Sequence, residues 1–95
     1  MSGKYILNGK TPVECNDLIE WAKQMEGKNR IVKQSQFGDV KVSTIFLGLD
    51  HSFGDGEPLL FETMIFGGKH DQYQDRYSTW DEAVEGHEIA CELVS

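Results

Sequence analysis

Two apolar runs rich in β-branched and aromatic residues, 40–49 and 59–66, flank a polar, glycine-bearing loop of about nine residues, 50–58. Each run has the length of an ordinary strand and the loop carries the chemistry that reverses a chain, so the runs are expected to pair as the antiparallel centre of a sheet. In the first run Val40, Val42, Thr44 and Phe46 share one face, and Ile45, Leu47 and Leu49 the other. Both faces turn apolar by Thr44, the pattern of a strand with neighbours at its sides and cover above and below.

The flanking sequence supplies the other elements. Residues 4–7 suit a short strand, Asn8-Gly9 a tight hairpin turn that needs positive φ, and residues 11–13 the returning strand. Asn16 or Asp17 caps a helix, with Glu20 positioned for a capping box from Asp17 and Gly27 as a left-handed terminator. Leu18, Trp21, Ala22 and Met25 recur at helical spacing and are expected to form one buried stripe. Residues 30–37 read as a strand joined to the central run through Gly38-Asp39. After Gly67-Gly68, residues 72–77 alternate polar side chains with Tyr73 and Tyr77, as an edge strand does.

The last helix opens at Ser78-Thr79, where Thr79 and Glu82 match a capping box and Asp81 and Glu82 favour the positive end of the helix dipole. Trp80, Ala83, Val84, His87, Cys91 and Val94 mark its packed side, and Asp81, Glu85, Glu88 and Glu92 an acidic one. Gly86 costs about 1 kcal/mol relative to alanine inside a helix, which points to close approach of a neighbouring element. The expected fold is α+β: a meander sheet of about four to five antiparallel strands. Two helices, one after the first hairpin and one C-terminal, pack on it in a single domain over residues 1–95.

The formal charge of −7 argues against nonspecific nucleic-acid binding, which needs a basic surface. The acidity is local: from Asp50 onward Lys69 and Arg76 face eleven acids, whereas residues 1–49 are close to neutral. Cys15 and Cys91 lack metal-site or disulfide-framework spacing and suit small buried side chains. No N-terminal stretch has the pattern of a signal peptide or a membrane span, so a cytoplasmic protein without membrane association is expected.

Among chemistry-bearing groups, Asp50, His51, Asp55, Glu57, Glu62, His70 and Asp71 invite a metal reading. His51 and His70 flank the second run, whose ends lie about 26 Å apart at roughly 3.3 Å per residue, so they cannot share an ion within one chain. The carboxylate spacing of an EF-hand is missing too, and neither metal nor cofactor is expected. An anion site is better motivated. In a meander the 50–58 loop lies at the end where the final helix starts, so His51, Phe53, Gly54 and Gly56 would meet Arg76, Tyr77, Ser78, Thr79 and Trp80. That set offers backbone N–H groups, positive charge and stacking surface. No nucleophile elbow, Cys-His signature or phosphate loop is present. His87 falls on the packed stripe as a satisfied core histidine, and Glu62, inside an apolar strand, needs a cationic cross-strand partner.

The string Val42-Ser43-Thr44-Ile45-Phe46-Leu47-Gly48-Leu49-Asp50-His51, with Phe53-Gly54, Pro58-Leu59-Leu60-Phe61-Glu62-Thr63-Met64 and Phe66-Gly67-Gly68, resembles a group of short uncharacterised proteins of phages and prophages. Tyr77-Ser78-Thr79-Trp80-Asp81-Glu82-Ala83, followed by Gly86-His87, carries the same resemblance. It implies a setting in the cytoplasm of a bacterial host and, by association, a stoichiometric binder directed against host defence. The leading expectation is a nonenzymatic, homo-oligomeric accessory protein that sequesters a small anionic, nucleotide-type signal through the loop and helix start. An acidic inhibitor would instead meet a host defence protein through Asp81, Glu85, Glu88 and Glu92, and a small metal-dependent hydrolase would use Asp50, His51 and Glu62.

Overall fold

The computed structural model describes residues 3–26, 30–52, 54 and 56–95. The chain opens with a hairpin, β1 (Tyr5–Asn8) and β2 (Thr11–Glu14), closed by Gly9 at φ 65° with Asn8 opposite Thr11. Helix α1 (Leu18–Met25) follows, capped by Asp17, whose Oδ1 accepts from the backbone N–H of Ile19 and Glu20 at 3.0 and 3.1 Å. Four strands come next: β3 (Ile31–Phe37), β4 (Val40–Phe46), β5 (Phe61–Phe66) and β6 (Gln74–Tyr77). Helix α2 (Trp80–Val94) ends the fold.

The architecture is α+β, with an antiparallel meander in the order β3-β4-β5-β6 and the β1-β2 hairpin as a separate sheet. Regular pairing in β4 stops at Phe46, earlier than the apolar run suggests, because Gly48 turns the backbone at φ 76°. The two legs of the connection still run together: Leu47 N–H donates to Leu60 O at 2.7 Å, and His51 N–H to Leu59 O at 3.1 Å. Tyr5 N–H donates to Gly48 O at 2.8 Å, which ties the hairpin to this end of the sheet.

Strand alternation gives the meander two unlike faces. Under α2 lie Val42, Thr44, Phe46, Phe61, Thr63 and Ile65, each 0% exposed, against Ala83, His87 and Ala90 of the helix. The opposite face consists of three cross-strand rows: Gln36–Lys41–Phe66, Gln34–Ser43–Met64–Gln74 and Ile31–Ile45–Glu62–Arg76. Cover on both sides of β4, the expectation from its two apolar faces, is not what the fold provides. Both described helices serve the first face, α2 along its length and α1 through Met25 at one end. The second face leaves Phe66 42% and Ile31 37% exposed, with Ile45 and Met64 half-buried.

The expected buried stripe of α1 is also corrected. Leu18 and Ile19 are 63% and 69% exposed, Ala22 is exposed, and no residue of this helix is buried. Its docking side is Trp21, Gln24 and Met25. Trp21 Nε1 donates to Gly48 O at 2.9 Å, Met25 packs against Gly48, and the Gln24 amide accepts from Leu7 N–H and donates to Leu7 O at 2.9 Å. A polar side chain sets the orientation of this short helix, which hydrophobic spacing alone does not register. Gly27 lies outside the described residues.

Helix α2 forms as its sequence predicts. Thr79 and Glu82 make a reciprocal capping box, with Glu82 N–H donating to Thr79 Oγ1 and Thr79 N–H donating to Glu82 Oε1, both at 3.1 Å. Gly86 is buried against the Tyr77 ring, in space a Cβ would need, so the close approach that this glycine implies is made to β6.

Candidate functional site

Three surroundings collect the residues with chemical capacity. At the start of α2 an open groove of about 380 Å³ is lined by Lys10, Thr11 and Pro12 of the hairpin and by Thr79, Trp80 and Asp81. Lys10 is the second residue of the Gly9-Lys10 turn, not one beyond an Asn8-Gly9 turn, and its Nζ stands 5.8 Å from the centroid of the Trp80 ring, within cation–π range. Trp80 is held from behind by Phe61, edge-on at 6.2 Å and 87°. An indole backed by Phe61, an exposed lysine ammonium and the positive end of a 15-residue helix thus converge on one groove. Asp81 and Glu82 offset part of that field.

Of the residues expected to form an anion cradle, the structure brings Thr79 and Trp80 into this groove. Leu60 N–H donates to Tyr77 O at 2.9 Å, so the returning leg of the 50–58 loop does start beside the end of β6. The described part of the loop is occupied with its own backbone. Asp50 Oδ1 accepts from Ser52 N–H at 2.8 Å and Leu59 N–H at 3.0 Å, and the hydrogen bonds from Ser52 hold its carboxyl below the usual range. Gly54 at φ 77° and Gly56 are exposed, with nothing within 4 Å of where a Cβ would sit, and His51 is half-buried. Phe53 and Asp55 lie outside the described residues.

Arg76 points elsewhere. Its Nε donates to Glu62 Oε2 at 2.9 Å on the sheet face that α2 does not cover, while its neighbour Tyr77 packs under the helix. Glu62, 8% exposed, therefore has the cross-strand cation its burial calls for, and Gln74 Nε2 donates to the same carboxylate oxygen. Lys10, Thr11 and Pro12 escape a sequence reading because nothing local tells where a hairpin docks. Lys10, a lone cation at a turn tip, is the one available signal.

The second groove, about 230 Å³, runs between β6 and α2 and is lined by Asp75, Tyr77, Glu82, Glu85, Gly86 and Ile89. Burial raises the Tyr77 phenol above its ordinary value, so it is neutral there. Asp81, Glu85, Glu88 and Glu92 are all exposed, but they do not act as one free patch. Asp81 borders the first groove and Glu85 the second, and Glu88 is bonded to Lys33 Nζ at 2.5 Å, which lowers the carboxyl and raises the ammonium.

The third setting is the buried polar cluster under α2. His87, 0% exposed, meets Thr44 Oγ1 at 2.7 Å through Nδ1 and Ser35 Oγ at 2.9 Å through Nε2, and Thr44 bonds Thr63 in turn. Burial, followed by the charge of Lys33, lowers its proton affinity, so the neutral ring is the native form. It is a buried core histidine with both ring nitrogens hydrogen-bonded. Cys15 is buried and Cys91 half-buried, neither in a disulfide, and Cys15 Sγ donates to Asp17 O at 3.3 Å. Among the described residues no group of three or more His, Cys, Asp or Glu side chains is arranged to hold a metal ion, and no helix is long and apolar enough to cross a membrane.

The chain matches no protein-family model, and no curated protein or solved structure is similar to it.

Proposed function

We propose that the protein is a nonenzymatic binding module that takes up a small anionic, nucleotide-type ligand in the groove between the hairpin tip and the start of α2. The observation that carries the reading is the Lys10 ammonium standing over the Trp80 ring beside the N-terminus of α2. A base stacks on an indole, and a phosphate draws on the ammonium and on backbone N–H groups of a first helical turn. This moves the positive charge of the site from Arg76, which serves Glu62, to Lys10. The resemblance to phage and prophage proteins supplies the setting: stoichiometric removal of a host defence signal in the bacterial cytoplasm.

Titration calorimetry against a panel of cyclic and linear nucleotides tests the reading. A stoichiometric heat is expected with at least one of them, weakened tenfold or more in Lys10→Glu, whose side chain is exposed and dispensable to the core. Absence of heat across the panel, or full binding by Lys10→Glu, removes it. A second reading, an acidic inhibitor of a host defence protein, is favoured by Asp75, Glu82 and Glu85 surrounding Ile89, a large apolar side chain 50% exposed. Its signature is a silent nucleotide panel together with a host protein whose copurification is lost in Glu85→Lys.

A further inference from the structure

The face of the meander turned away from α2 has a composition unlike the rest of this surface. Sixteen acids make the chain strongly negative, yet the three rows of that face carry Lys41, Arg76 and Glu62 as their only charges. Glu62 is paired within the chain with Arg76 and takes a further hydrogen bond from the Gln74 amide. What remains is Phe66, Met64, Ile45 and Ile31 set among glutamine amides, with a shallow depression between Ser43, Ile45, Glu62, Met64 and Phe66. Interface cores are built this way, enriched in aromatic residues, methionine and arginine and depleted of acids.

We propose that this face is the interface of a two-fold symmetric homodimer in which two meanders pack back to back. Charge selects a second copy as the occupant. A basic foreign protein is drawn to the acidic α2 side, whereas two chains of formal charge −7 can meet only where their own negative charge is least. Back-to-back packing gives an α/β/β/α stack with the α2 helices outermost, roughly 30 Å apart at about 10 Å per layer, well beyond a Debye length of about 8 Å. The bare face becomes the inside of a sandwich, and a self-complementary patch closes the assembly at two copies.

Size sets the strength. Four strands at about 4.8 Å spacing, paired over some six residues at about 3.3 Å each, give a flat footprint of about 400 Å² per copy. Doubled, and enlarged by side-chain relief, it falls at the small end of specific interfaces, so the dimer forms reversibly in the micromolar range.

Sedimentation velocity from about 1 µM to 1 mM tests the proposal on the intact chain, with circular dichroism confirming that each variant is folded. A monomer–dimer equilibrium is expected that tightens or holds as salt rises, because screening removes repulsion between like chains and breaks no attractive ion pair between them. Phe66→Lys, at an already exposed position, weakens it tenfold or more, and Gln34→Glu weakens it through like charges brought together. Ile89→Lys, on the α2 side, leaves it unchanged. A monomer at every concentration, a dimer indifferent to both Phe66→Lys and Gln34→Glu, one abolished by Ile89→Lys, or one that salt dissociates each overturns the proposal.

Discussion

Along β5 consecutive residues belong to two different surfaces. Phe61, Thr63 and Ile65 are wholly buried beneath α2, while Glu62, Met64 and Phe66 look out from the other side, the last of them 42% exposed. The two sets come from the same six residues and both contain a phenylalanine. One is tied to its helix by the core and the His87–Thr44–Thr63 hydroxyl network; the other, among the described residues, meets its own cross-strand neighbours and no helix. Hydrophobicity by itself therefore does not say whether a strand face serves folding or contact. A partner element in the same chain decides it.

The contrast is broken most directly by truncating the buried ring. Phe61→Ala removes a fully buried side chain in contact with Phe46 and Trp80 and is expected to cost about 3–5 kcal/mol in urea denaturation. A loss below about 1 kcal/mol would mean that α2 does not seal this face. The polar heart of the same face sharpens the contrast through pH. In the fold His87 holds a proton less readily than the ordinary value of 6.5, so as pH falls below that value the unfolded chain takes up a proton the native state refuses. Stability is complete above about pH 6.5 and falls below it by at most about 1.4 kcal/mol per unit. In His87→Gln that slope between pH 6.5 and 5 should vanish, whatever the overall stability of the variant. Asp50 and Glu88, whose carboxyls are held low by their hydrogen bonds, lose their contribution only in a more acidic window. The smallest effect falls on the bare face: Phe66→Ala should change the stability of the dilute monomer by less than about 1 kcal/mol. A cost like that of Phe61→Ala would show the two faces to be equivalent.

Features encoded by adjacent residues were legible before any coordinates. Gly38-Asp39 turns the chain with Gly38 at positive φ, and Thr79 with Glu82 caps α2, whereas the first hairpin turns one residue later than Asn8-Gly9, on Gly9-Lys10, because Asn8 still pairs with Thr11. Pairing of Glu62 with a cation and close packing at Gly86 could be foreseen in kind, because a carboxylate in an apolar strand and a glycine in a helix each carry a cost that a neighbour must offset. Features set by distant contacts were not. Leu18 and Ala22 keep the spacing of a buried stripe, yet α1 is turned by the bonds of Gln24 to Leu7. Ile45 makes both faces of β4 look covered, although an open face carrying Met64 and Phe66 reads the same in one dimension. Lys10 reaches Trp80 only because the hairpin folds over that end of the sheet.

The grip of Gln24 on Leu7 has a consequence for solubility. Leu7 stands opposite Pro12, so its N–H and C=O face outward from the hairpin, where an unsatisfied edge recruits strands from other molecules. The Gln24 amide occupies both groups as a neighbouring strand would, and the Gly48 carbonyl accepts from Tyr5 N–H. One carboxamide thus acts as a stopper on that margin, shielding the start of the chain from runaway fibrous growth while the sheet's broad back stays available for ordered association.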